Sequence, residues 1–103
     1  MSAVAVRVAL PTHLRTLAGV GAEVVVEVPG DAPSIADALD ALEAAHPALR
    51  GTIRDRRTRV RRPYMRYMAC GRDLSHVDPA GALPGPVVAG EEPFIVIGAI
   101  SGG

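Results

Sequence analysis

Near its start the chain alternates: Val4, Val6, Val8 and Leu10 fall on one face, Ala5, Arg7 and Ala9 on the other. A period of two marks a half-buried strand. Pro11 lacks a backbone donor and ends it. The alternation returns at residues 23–28, where Val24, Val26 and Val28 oppose Glu23 and Glu27. Residues 12–21 between the two runs carry Gly19 and Gly21 and read as the turn of a hairpin with a long loop.

The period then changes. Pro29-Gly30-Asp31 breaks the chain, and Ser34 followed three residues later by Asp37 has the form of a capping box. Ile35, Leu39 and Leu42 recur at helical spacing, with Asp40 and Glu43 on the wet side. His46 precedes Pro47 and is disfavoured in the helical region, so the spacing predicts a helix over residues 34–46. Residues 54–62 hold six arginines and read as a polar connector. Alternation resumes from Tyr64 to Cys70, with Met65, Tyr67 and Ala69 on one face. Gly71-Arg72-Asp73 reads as a turn, Leu74 to Val77 as a short strand, and the Pro- and Gly-rich residues 78–90 as loop. Pro93 opens an apolar last strand, Phe94 to Ile97.

Two strands, a helix and two or three further strands predict a two-layer α+β domain of residues 1–97, with residues 98–103 as a tail. The first and last strands are the most apolar, which places them side by side at the centre of the sheet.

Composition narrows the functional classes. The 103 residues suit one domain, and a hydrophobic content of 49% argues against disorder. Eleven basic and eleven acidic residues cancel, whereas a nucleic-acid binder normally carries a basic excess. All the basic residues are arginine, so no side-chain amine is offered for an isopeptide bond. No signal peptide and no membrane-length apolar run is visible, so a cytoplasmic location with no membrane partner is expected. Cys70, the single cysteine, excludes an internal disulfide, and His13, His46 and His76 lack metal-ligand spacing. Neither a nucleophile–His–acid set nor a phosphate-cradling Gly loop is present. The chain therefore reads as a non-enzyme with no metal and no permanently bound cofactor.

The sequence closes on Ile100-Ser101-Gly102-Gly103. Glycines let a backbone enter a narrow channel without side-chain clashes. Five residues beyond Gly98 reach roughly 17 Å when extended. Ile95 and Ile97 are candidates for partner docking if their face of the sheet is open. The alternative is a core packed on both faces. The arginine run, with Arg59, Arg61 and Arg62, is a second candidate docking surface, its plainer reading being a solvated connector.

Element order and ending together resemble the MoaD/ThiS family of ubiquitin-like sulfur carriers, in particular its CysO-like branch. The resemblance is carried by Val8-Ala9-Leu10-Pro11-Thr12-His13-Leu14-Arg15, by Ser34 through Leu42 with Pro47-Ala48-Leu49, by the basic connector into Tyr64-Met65-Arg66-Tyr67-Met68, and by Phe94 to Gly103. Cys70-Gly71 stands where the family often has Asn-Gly, Gly90-Glu91-Glu92 where it has an acidic Gly turn, and Gly98 where Pro is common. Residues 79–88 are longer and richer in Pro than usual. The resemblance implies a ubiquitin-like β-grasp fold, a mixed sheet of four or five strands packed on one main helix. It also implies a function. An activating enzyme of the ubiquitin-activating type uses ATP to adenylate the Gly103 carboxylate, recognising Gly102, Ser101 and Ile100. Sulfur then replaces AMP, and the thiocarboxylate serves a downstream sulfur-accepting synthase, with cysteine or a specialised sulfur metabolite as the favoured product. Two other roles stay open: the small subunit of a molybdopterin-synthase-like complex, and a modifier or binding module without sulfur chemistry.

Overall fold

A computed structural model describes residues 2–98. Its elements run β1 (Ala3–Ala9), α1 (Thr12–Ala18), β2 (Glu23–Pro29), α2 (Ile35–Ala45), a 3-10 turn at Pro47–Leu49, β3 (Met65–Ala69), β4 (Arg72–Asp73), α3 (Gly85–Val88) and β5 (Phe94–Gly98). The five strands form one sheet in the order β2-β1-β5-β3-β4. The central pair, β1 and β5, is parallel; every other pairing is antiparallel. The first and last strands thus lie together at the centre, as their apolar character predicts. Parallel neighbours require a crossover, and α2 supplies it while covering one face of the sheet.

The period-two pattern fixes which side chains turn inward. Val6 and Val8 of β1, Val24, Val26 and Val28 of β2, Met65, Tyr67 and Ala69 of β3, and Phe94 and Val96 of β5 are all buried. Against them pack Ile35, Ala38, Leu39 and Leu42, the apolar stripe of α2. The Tyr67 and Phe94 rings meet at 5.4 Å between centroids, tilted by 49°. The start of α2 is the predicted capping box: Ser34 Oγ accepts from Asp37 N–H, and Asp37 Oδ2 accepts from Ser34 N–H, both at 3.0 Å. The two bonds satisfy donors that a helix start otherwise leaves free.

Three segments differ from their sequence reading. Residues 12–21 are not merely a turn but hold α1. Seven residues cannot sustain a helix alone in water, and the surroundings hold this one. Leu14 is buried, Pro11 O accepts from Leu14 and Arg15 N–H, and Arg15 Nε donates to Leu10 O at 2.7 Å. Gly19, at φ 69°, closes it in the left-handed region that glycine enters without strain. The second difference is the short strand, which lies at Arg72–Asp73 and not at residues 74–77. Cys70 and Gly71, at φ 53° and 73°, make the two-residue turn that pairs Ala69 with Arg72. Two successive positive φ values suit the right-handed twist of a hairpin. Third, residues 78–90 contain α3, whose Val87 is buried, and Ala82 bridges to Ser34.

The arginine connector is anchored at its root. Arg54 and Arg61 form a β-bridge, and Asp55 organises the loop between them by accepting Arg57 and Thr58 N–H at 2.8 Å each. Those two bonds hold the Asp55 carboxyl below its usual range. Arg54 itself is buried, its guanidinium bound to Glu43 at 2.8 Å and to Asp40. Burial opposes its charge, but the bonds to Glu43 and Asp40 outweigh that and raise its pKa.

Candidate functional site

The sheet has one covered face and one open face, which decides the reading of the last strand. Phe94 and Val96 face the core, Ile95 is half-buried on the other side, and Ile97 is 44% exposed. Register places Ile95 between Ala9 of β1 and Met68 of β3, and Ile97 beside Arg66. Ile95 and Ile97 give the open face an apolar middle on β5, while Val25, also exposed, stands apart on the edge strand β2. The charged borders of the open face are tied down: Arg7 pairs with Glu23 at 2.9 Å, and Arg66 lies 3.8 Å from Asp73. Arg7 also donates to the carbonyls of Gly90 and Glu91, fastening the turn that feeds β5.

The end of β5 is shaped from three sides. Gly98 pairs with Met65 across to β3. A β-carbon at Gly98 would stand 2.8 Å from His13 Cε1 of α1 and 3.6 Å from Met65 Sδ. Close approach of the imidazole to the strand is thus possible because residue 98 has no side chain. Arg61 braces the same place from below. Its guanidinium donates to the carbonyls of Met65 at 2.6 Å, Ser75 at 3.0 Å and Arg62 at 3.2 Å. The Gly98 end of β5 is therefore framed by β3, α1 and one arginine. Sequence reasoning missed His13 because α1 itself was hidden by Gly19 and Gly21. The helical spacing of Leu14 and Ala18 was the available signal.

The sequence-derived candidates fall into three groups. Ile95 and Ile97 lie together on the open face. The arginines are dispersed: Arg59 pairs with Asp40 at 2.6 Å, Arg61 is committed to backbone carbonyls, and Arg62 donates to Gly51 O at 3.0 Å with Asp55 at 3.8 Å. Of these three only Arg59 is exposed. Ile100, Ser101, Gly102 and Gly103 lie outside the described residues. Among the described residues no cluster of three metal-ligating side chains exists, and no helix is long and apolar enough to cross a membrane. Cys70 is exposed on the β3–β4 turn, at the opposite end of β3 from Gly98.

A central parallel strand pair, an α2 crossover and an open opposite face define the ubiquitin-like β-grasp fold. No family model matches the chain, and no curated protein matches it. Solved structures do share its fold. SAMP1 from Haloferax volcanii superposes with a TM-score of 0.74 at 23% identity, covering 96% of this chain and 99% of that one. A complex of BexX and CysO from Amycolatopsis orientalis gives 0.71 at 17% identity, over 94% and 98% of the two chains. CysO from Mycobacterium tuberculosis gives 0.67 at 18% identity, over 91% and 98%. The likeness to MoaD/ThiS-type ubiquitin-like carriers noted from the sequence holds at the level of the fold.

Proposed function

We propose that this chain is a sulfur carrier whose Gly103 carboxylate is the reacting group. The supporting observation is the position of Gly98. The last described pair of the central strand is braced by Met65, His13 and Arg61, and the sequence continues from there for five residues to a di-glycine end. Fixing each of those residues in a partner's channel costs on the order of 1–2 kcal/mol of backbone entropy. The folded body must offset that by docking, and the open face around Ile95 and Ile97 is the surface suited to it.

The chemistry is group transfer. The carboxylate oxygen attacks the α-phosphorus of ATP, pyrophosphate leaves, and an acyl adenylate forms. Hydrosulfide, or a sulfur donor equivalent to it, then attacks the acyl carbon. AMP leaves with its oxygen, and the thiocarboxylate remains for a sulfur-accepting synthase. The protein supplies no acid or base to these steps; it presents the acyl group. The BexX/CysO complex among its structural neighbours supports pairing of such a carrier with a partner protein. A second reading, covalent modifier, is favoured by one observation, a neighbour named small archaeal modifier protein 1 at 24% identity.

The test is pyrophosphate exchange. With an activating enzyme of this class and labelled pyrophosphate, the intact chain is expected to support formation of labelled ATP, and a chain lacking Gly103 is not. Equal exchange with and without Gly103 removes the proposal. Gly103 joined to lysine in target peptides, without any thiocarboxylate, replaces it with the modifier reading.

A further inference from the structure

We infer that the free edge of β2 and the groove beside it form a second docking site. It accepts an extended peptide in which basic and apolar residues alternate. The site is independent of the Gly103 chemistry and of the Ile95 and Ile97 surface on β5.

The first observation is a strand edge with no partner among the described residues. β2 ends the sheet. Leu10 N–H donates to Ala22 O and Gly30 N–H donates to Ser2 O, one bond at each end of the β1–β2 ladder. In an antiparallel pair, bonded residues alternate with non-bonded ones. Counting inward from both ends, Val24, Val26 and Val28 bond to β1. Glu23, Val25 and Glu27 turn their N–H and C=O groups outward, where an added strand would find them.

The second observation is room. A groove of about 800 Å³ runs between that edge and α2, lined among others by Val25, Val26, Glu27, Asp37, Ala41 and Ala44. The alanines are why it exists, since longer side chains on that edge of α2 would fill it. A strand added to β2 would turn alternate side chains onto Val26 and the alanines, and the others toward Val25 and Glu27.

Charge selects the occupant. Asp40 is taken up by Arg54 and Arg59, and Glu23 by Arg7. Glu27 and Asp37 have no cationic partner among the described residues, so the site asks for positive charge. The same residues disfavour the centred pairing of a second copy of this chain. Antiparallel pairing of two β2 edges about Val25 sets Glu23 opposite Glu27 twice, and like charges directly opposite destabilise a ladder. Pro29, with no N–H, stops the pairing at one end. The edge is thus protected against itself while open to a basic strand.

The experiment titrates the isotope-labelled full chain with two blocked pentapeptides, alternating arginine–valine and alternating glutamate–valine, and follows the backbone amides. The arginine peptide is expected to shift Val25 and Glu27, to slow their hydrogen exchange, and to bind at least about tenfold more tightly than the glutamate peptide. Glu27→Lys is expected to reverse that preference. Val25→Pro removes one outward N–H and is expected to weaken the arginine peptide about fivefold. Should Val25→Pro fail to fold, the exposed Glu27→Lys carries the test. Equal binding of both peptides, shifts centred on Ile95 and Ile97, or no saturation at millimolar peptide each overturn the inference.

Discussion

Replacing Arg54 with Met tests how the connector is fastened to the body. The Arg54 side chain is 4% exposed, and its partner Glu43 is 13% exposed. Removing one member of a buried pair typically costs about 3–5 kcal/mol, because the other is left charged and without a partner. Two features place this site at the lower end. Asp40 is half in water at 47% exposure, and it keeps Arg59 when Arg54 is gone. The uncompensated charge is therefore Glu43 alone, and a loss of about 3 kcal/mol is expected. For a chain of this length that lowers the melting temperature by about 12–24 °C. Urea unfolding followed by circular dichroism measures it, with the midpoint falling and the slope unchanged. Adding Glu43→Leu to Arg54→Met removes the stranded carboxylate and is expected to restore most of the loss. A cost for Arg54→Met below about 1 kcal/mol, the range of exposed pairs, refutes the reasoning. It would mean that water reaches this cluster in solution.

Three further outcomes follow from the same geometry. Burial pushes the Tyr67 phenol up to about 12, while the unfolded chain titrates near 10. Its contribution is therefore complete below pH 10 and lost as pH rises through 12. Stability is expected to fall by about 2–3 kcal/mol across that window, and Tyr67→Phe to flatten the slope. Cys70→Asn relieves an exposed non-glycine residue held at φ 53°, and is expected to raise the melting temperature by a few degrees. No change would mean the turn is not strained there. Ile97→Asp, on the open face, is expected to leave unfolding within about 1 kcal/mol of the parent. It should raise the KM of the activating enzyme for this chain about tenfold or more, with kcat held. A normal KM removes the open face from the docking account.

The strands were legible in the sequence because burial on one face writes itself as alternation. Val4 to Leu10, residues 23–28 and Tyr64 to Cys70 each name their inward side chains correctly. The helix at residues 35–45 was legible through Ser34 and Asp37. What was not legible is held by partners far along the chain. α1 is stabilised by Leu14 burial and by Arg15 reaching back to Leu10, while two glycines nearby signal a loop. Cys70 takes a turn position that Asn ordinarily marks, so the sequence pattern points to a short strand two residues later than β4. Arg54 reads as one charge in a charged run, and only the fold brings it to Asp40 and Glu43. The di-glycine end was visible as sequence. The His13 and Gly98 contact at the end of β5 was not, because it joins residues that no local pattern connects.

The most direct measurement is the intact mass of the full chain after incubation with an activating enzyme of this class, ATP and a hydrosulfide donor. The account predicts a gain equal to the exchange of one oxygen for one sulfur, confined by fragmentation to the residue at Gly103. An unchanged mass under conditions that adenylate the chain, or sulfur found on any other residue, contradicts it.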